Sequence, residues 1–533
     1  MVPKKVPKKV SSTVSSIDLA IFISRVEAIC AEMGAILRRA AFSPNIKDRL
    51  DFSCALFDAN GQLFAQAAHI PVHLGSMAFA MEEIVKDLNW QEGDMLVLND
   101  PFKGGTHLPD VTIIAPCFSE SFSESFDQTH PPKLIGFVVN RAHHANIGSE
   151  VPGSMPLSRS IKEEGITIEP SFIVKAGNLD KKVLNFITGE SDSDLMGDFA
   201  AQMSANRTGV RRLKSLHRSL GSVAFDCALE GCNQYGHRLS QNLIKEIPNG
   251  LYCFEDYMDD DGFGHENIKI KASILVEDSV INVDFTGTAG QVEGNINCPL
   301  SVAAAAVFYA FRCLLPKETP NCAGSYQAIS ITAPPACLVN AQFPAATSAG
   351  NVETSMRIVD VILGALSQAI PDRIPAASQG SMNNVAMGAR NNNQSWDYYE
   401  TIGGGMGAGA MGPGLSSRQC HMTNTLNTPI ESVESHYPLR ISEYAVRRNV
   451  GGDGAFVGGD GIVREFEFLD SAEFTVLTER RKYQPWGLAG GEAGSVGNNY
   501  LDGKSLPAKC HRKVEAGQVL RIETPGGGGY GKK

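Results

Sequence analysis

Asn99-Asp100-Pro101-Phe102-Lys103-Gly104-Gly105-Thr106-His107-Leu108-Pro109-Asp110 and Arg141-Ala142-His143-His144-Ala145-Asn146-Ile147-Gly148 are the two polar stretches on which the reading of this chain turns. Each touches apolar runs of strand character: Met95 to Leu98 and Val111 to Cys117 flank the first, and Leu134 to Val139 leads into the second. Strands of this composition are expected as buried neighbours in one sheet. Loops at the same sheet end would then gather His107, Asp110 and His143, and two imidazoles with one carboxylate make a divalent-metal site with open positions. On the residues alone a plainer alternative stands beside it: His107 and Asp110 only fix a turn, and His143 packs under it.

Working outward, the 533 residues predict two or three domains. A hydrophobic fraction of 43% with 20% charged residues allows a sizeable core. The formal net charge of −11, without an extended basic face, argues against nucleic acid and anionic membrane as partners and favours small molecules or another protein. None of the 12 cysteines forms a Cys-x-x-Cys pair, a usage that fits a reducing cytoplasm. No run approaches the roughly 20 apolar residues of a membrane span. Residues 1–15 read as a disordered tail.

Ser16 to Ala41 carries a helical apolar period, ended by Phe42-Ser43-Pro44 because proline disfavours helix at the residue before it. Phe52 to Phe57 and Leu63 to Ala67 flank Asp58-Ala59-Asn60-Gly61, a hairpin pattern. His69 and His73 lie four apart, but Pro71 between them argues against a regular helix, so packing or substrate contact is the expectation there. Ser119 to Pro132 reads as an exposed hairpin extension. A long helix is expected from Asp194 to Ala228; its basic residues Arg207, Arg211, Arg212, Lys214, His217 and Arg218 read as a solvated face, with a phosphate or partner contact as the alternative.

Character changes near Pro248-Asn249-Gly250, after which alternation predicts strands to Phe285 with an exposed acidic turn at Asp259-Asp260-Asp261-Gly262. Helices follow at Ser301 to Leu315 and Val359 to Ala369. The glycine clusters Gly403 to Gly409, Gly451 to Gly454, Gly458 to Gly461 and Gly526 to Gly529 predict tight loops, where φ is positive or the backbone passes close to a ligand. His421 to Glu431 gathers polar groups that either satisfy their own turns or line a pocket. No phosphate-binding Gly-x-x-x-x-Gly-Lys-Ser/Thr occurs, so ATP chemistry would need a second polypeptide. The expected fold class is α+β: a tail at 1–15, an α/β region with a mixed sheet at 16–250, a β-rich domain at 251–345 and an α+β, glycine-rich domain at 346–533.

Asn99-Asp100-Pro101, Gly104 to Asp110, Asn140 to His144, Pro152-Gly153-Ser154-Met155-Pro156, Asn424-Thr425 with Asn427 to Glu431, and Thr524 to Gly531 together resemble the hydantoinase B/oxoprolinase family, in order, across nearly the whole chain. The resemblance implies a B-type subunit acting with a nucleotide-binding hydantoinase A-type subunit. That partner holds ATP and Mg and phosphorylates a small cyclic amide such as a hydantoin, 5-oxoproline or lactam. It further implies a hetero-oligomer with two copies of each subunit, and a divalent metal (Mn, Zn or Fe) on His107, Asp110 and His143. The chain departs from the family pattern at Asn146 and Ser149, where aspartate and glycine are usual. His144 and Glu431 are the general-base candidates. Related ketone carboxylases make carboxylation the alternative activity, and a non-catalytic scaffold for the partner is a third reading.

Overall fold

The computed structural model describes residues 14–67, 69–86, 88–120, 132–188, 193–391 and 394–533. Most of the expected tail and of the extension at 119–132 lies outside the described residues.

The first helix, Ser16–Ala40, begins where the Ser15 hydroxyl accepts from the Asp18 amide and buries Phe22, Val26, Cys30, Met33 and Leu37 along one stripe. Seven strands follow: β1 (Phe52–Phe57), β2 (Leu63–Gln66), β3 (Met95–Leu98), β4 (Asp110–Phe118), β5 (Leu134–His143), β6 (Ser171–Lys175) and β7 (Asn178–Leu179). They pair antiparallel throughout, in the order β2-β1-β5-β4-β3-β6-β7. Alternation divides their side chains. Cys54, Leu56 and Val138 pack with the first helix, whereas Ala55, Phe57, Phe137 and Val139 pack with Met77 and Met81 of the helix Pro71–Lys86. The mixed pairing expected in this region falls instead in the second sheet.

The long helix expected at 194–228 is two, Ser193–Leu220 and Ser222–Glu246, divided at Gly221, whose φ of 78° interrupts the helix. Except for His217, which is buried against Phe225, its basic face is solvated, with Arg212 paired to Glu32 at 2.8 Å, Lys214 to Glu92 at 2.6 Å and Arg218 to Glu120 at 3.0 Å.

The second sheet comprises β8 (Gly250–Asp260), β9 (Glu266–Glu277), β10 (Val280–Asp284) and β11 (Ile329–Thr332), with β10 and β11 parallel. The buried helices Leu300–Leu314 and Ser355–Leu366 pack on it. Helix Leu300–Leu314 also meets Pro71–Lys86 so closely that a Cβ at Gly75 would lie 2.4 Å from the Ala305 Cα, which ties the two halves of the chain together. The acidic turn is not exposed: Asp259 and Asp261 are buried. Asp259 accepts from the Arg481, Lys482 and Tyr483 amides, and Asp261 from the Phe263, His265 and Gly294 amides. Their charges organise backbone rather than solvent.

Two further antiparallel sheets complete the α+β fold, one of four strands and one of five. The glycine runs beside them are extended chains laid against one another, not positive-φ loops. Gly405 donates to Pro525, Ala408 to Gly528, Gly459 to Met406 and Gly527 to Gly459. A Cβ at Gly405 would fall 2.0 Å from the Gly459 carbonyl oxygen, and one at Gly458 2.0 Å from that of Gly527. Backbone packed on backbone requires glycine here.

Candidate metal centre

The loop before β4 is held from beneath by Asn99. Its amide donates to the Leu108 and Ile166 carbonyls at 2.8 and 2.9 Å and accepts from the Ile168 amide at 2.6 Å. Gly105 presses against this support, where a Cβ would lie 2.2 Å from the Asn99 carbonyl oxygen. His107 then turns back on Asp110, whose amide donates to the His107 carbonyl at 3.1 Å. Asp110 opens β4 and His143 closes β5, directly opposite in register. The ligand atoms of His107, Asp110 and His143 lie within 4.8 Å of one another, and all three residues are buried.

The Asp110 Oδ2 accepts from the Thr106 hydroxyl at 2.7 Å and from the Asn351 amide at 3.2 Å. It stands 3.2 Å from His107 Nε2 and 3.2 Å from His73 Nε2, and Oδ1 stands 3.9 Å from His143 Nδ1. His107 Nδ1 lies 3.1 Å from the Ser348 carbonyl, an acceptor only, so Nδ1 carries the proton. A neutral His107 therefore turns the lone pair of Nε2 toward a carboxylate oxygen. Only a positive charge between or upon them, a second proton or a metal ion, reconciles that contact. His143 Nε2 is also buried without a hydrogen-bond partner among the described residues. Two such imidazoles, one braced by a carbonyl in the manner of metal-binding histidines, with a carboxylate, are a donor set that fits Mn, Fe or Zn.

The electrostatics of the pocket place positive charge beside Asp110 and leave His143 neutral. Burial opposes the imidazolium of His107, but the Asp110 carboxylate and the hydrogen bonds to it outweigh burial and raise its pKa. Burial likewise opposes ionisation of Asp110, yet His107 and His73 hold its pKa well below the ordinary carboxylate value. Burial holds His143 down to about 4 against the attraction of Asp51 and Asp110, so it is neutral and available as a donor. His143 stacks on Tyr399 with ring centroids 4.6 Å apart, and the Arg49 guanidinium lies 4.8 Å from the centroid of the same ring. The Tyr399 hydroxyl is anchored to Asn384 Oδ1 at 2.6 Å. The cavity these groups enclose measures about 20 Å³, room for an ion or a water.

The structure thus brings together His107, Asp110 and His143 but not the two general-base candidates. His144, next along the chain, points to the opposite sheet face, where Nε2 meets Gln202 Oε1 at 2.9 Å and the ring stacks on Phe199 at 4.7 Å. Glu431 is exposed in the first turn of the helix Ile430–His436, away from the cavity lining. Asn146 caps its own turn by accepting from the Gly148 amide at 2.9 Å. The residue missed in sequence is His73. Pro71 starts a helix rather than breaking one, as proline does at a first helical position, and so swings His73 to Asp110. His69 stays outside, accepting from the Cys54 amide at 3.3 Å. The polar segment after His421 contributes Met422, Thr423 and Thr425 to the cavity wall.

A buried His-Asp-His cluster at the ends of paired antiparallel strands, able to hold a metal ion, defines the class of site. The chain belongs to the hydantoinase B/oxoprolinase family, which it matches over residues 15–533. It is 38% identical to 5-oxoprolinase 1 of Arabidopsis thaliana over 97% of its own length, but spans only 42% of that protein. It is 31% identical to the putative B-type component of a D-/L-hydantoinase from a Pseudomonas species, covering 97% of this chain and 90% of that one. Among solved structures, the ATP-dependent caprolactamase from Pseudomonas jessenii superposes with a TM-score of 0.88 at 26% identity, covering 98% of this chain and 92% of its own. An acetone carboxylase shares the fold, with a TM-score of 0.83 at 17% identity over 97% of this chain and 76% of that one. No helix among the described residues is long and apolar enough to cross a membrane.

Proposed function

We propose that this chain is the B-type component of an ATP-dependent cyclic amide hydrolase, opening a hydantoin, 5-oxoproline or lactam ring. The observation that carries the reading is the His107-Asp110-His143 cluster, buried around a cavity with room for an ion, in a chain of this family. A cyclic amide resists water because its nitrogen donates into the carbonyl, and phosphorylation of the carbonyl oxygen removes that resistance. The phosphorylation belongs to a nucleotide-binding A-type partner that holds ATP and Mg, in a cytoplasmic hetero-oligomer with two copies of each subunit.

In this reading His107, Asp110 and His143 hold a divalent ion, which when bound supplies Lewis acidity toward the activated carbonyl and its attacking water. The chain's own residues set the geometry. Ser348 fixes the His107 tautomer, Thr106 and Asn351 aim the Asp110 carboxylate, and Tyr399 supports the plane of His143. Ser53 at 3.2 Å from His73 Nδ1 can donate to it, which leaves Nε2–H of His73 to face Asp110.

The test is ADP release by this chain with its nucleotide-binding partner across hydantoins, 5-oxoproline, lactams and ketones, with product analysis. Ring-opened acid formed in step with ADP, and lost in His107→Ala, supports the proposal. A carboxylated ketone as product, or full turnover in His107→Ala, overturns it.

A further inference from the structure

Behind the metal cavity lies a second, larger one of about 250 Å³. The two share walls. Val72, His73, Thr423 and Thr425 face the metal cavity, while Pro71, Gly75 and Asn424, on the same segments, line the second. The volume lies below the roughly 300–1,000 Å³ of sites for drug-sized ligands and suits a smaller molecule.

Its lining is chemically specific. Phe308 and Tyr326 form a stacked aromatic wall with centroids 4.7 Å apart. Arg312, half-buried, closes one side; the Glu27 carboxylate feels its charge, but Arg312 makes no side-chain hydrogen bond or ion pair within the described residues, and its Nη1 is buried without an acceptor. A guanidinium nitrogen in that condition has given up water without gaining an acceptor, which is costly unless an anion meets it. Gln66 lines the same cavity. It is 4% exposed, and its Oε1 is buried with no donor among the described residues. A buried guanidinium nitrogen without an acceptor and a buried amide oxygen without a donor, among the described residues, on one small aromatic-walled cavity call for one ligand that carries a negative oxygen and an N–H.

We propose that this cavity is a binding site for a small organic carboxylate bearing a neighbouring N–H, with the carboxylate on Arg312 and the N–H on Gln66. Planar carboxylate matches the guanidinium fork. Two sources share this chemistry: a lactam ring substituted with a carboxylate, and the amino acid formed by opening such a ring. The proposal rests on the function proposed above only for the choice of these probes, since binding needs neither partner, nucleotide nor metal.

The experiment is isothermal titration of the purified full-length chain, without partner or ATP, using 5-oxoproline, L-glutamate, 2-pyrrolidone and acetate. Saturable binding of 5-oxoproline or glutamate, with 2-pyrrolidone and acetate at least tenfold weaker, is expected. Arg312→Gln should weaken the bound probe at least tenfold, and Gln66→Leu should do so while retaining the preference for carboxylates. Arg312→Lys, which keeps the charge but not the fork, separates recognition from folding by recovering part of the affinity. Tighter binding of 5-oxoproline names the ring as ligand, and tighter binding of glutamate names the opened product. Absence of binding to the wild-type chain, equal binding of 2-pyrrolidone, or undiminished binding in a folded Arg312→Gln variant overturns the proposal. The ADP and metal assays report separately on the hydrolase reading, so either can fail alone.

Discussion

Thr106→Val tests the metal centre at the point where the chain aims its carboxylate. The Thr106 hydroxyl makes the shortest of the contacts to Asp110 Oδ2, 2.7 Å against 3.2 Å for Asn351, His73 and His107. Valine keeps the branched shape and removes the donor. A hydrogen bond to a charged acceptor contributes about 1.5–3 kcal/mol, and loss of a partner that orients a metal ligand costs about 10–100-fold in metal affinity. Because Asn351 still holds the same oxygen, about tenfold is expected, equivalent to ~1.4 kcal/mol. Competition of the purified chain with a chromophoric chelator for Mn²⁺ and Zn²⁺ measures this directly, with Thr106→Ser as the variant that retains the donor. His107→Ala should bind no metal in the same assay. Wild-type affinity in Thr106→Val beside complete loss in His107→Ala would refute the orienting argument. Wild-type affinity in both would refute the site.

Three other outcomes follow from the geometry. Burial, reinforced by neighbouring Glu479, pushes Glu353 up to about 8, so the folded chain keeps a proton that the unfolded chain releases near its ordinary value. Stability should therefore fall as pH rises between those values, by up to ~1.4 kcal/mol per pH unit for one proton. Glu353→Gln should gain on the wild type in denaturant midpoint as pH goes from 6 to 8, and parallel curves would contradict the assignment. Gly405→Ala places a Cβ 2.0 Å from the Gly459 carbonyl oxygen and should cost about 3 kcal/mol or more, whereas Gly412→Ala, with nothing within 4 Å, should leave thermal unfolding unchanged. Glu431→Ala should leave steady-state turnover with the partner within about twofold, as surface substitutions remote from a site commonly do. A large fall in kcat would return Glu431 to the chemistry.

Much of the site was legible because its residues are local to two loops whose strands announce themselves. Buried apolar runs at 95–98, 111–117 and 134–139 mark central strands, and a two-residue periodicity decides which of His143 and His144 shares a face with Asp110 once register is known. Only the fold supplied that register. His73 was hidden because the effect of Pro71 depends on position: the same ring that disrupts a helix interior is tolerated at its first turn. Asp259 and Asp261 read as exposed because composition records charge and not the backbone amides, at 263, 265, 294 and 481–483, that converge on them.

The chain's sequence by itself determined the family motifs, the α+β class, the strand-flanked polar loops and the candidate donors His107, Asp110 and His143, since these depend on residue types at short range. Tertiary structure decided the rest. It bound Asp110 to Thr106 and Asn351, braced His107 on Ser348, set His143 on Tyr399, stacked the glycine runs backbone to backbone and left Arg312 Nη1 and Gln66 Oε1 at one cavity with no hydrogen-bond partner among the described residues. The physical reason is range. A local pattern records which side chains alternate or recur, but a hydrogen bond between residues 241 positions apart, such as that from Asn351 to Asp110, exists only once the chain has closed on itself.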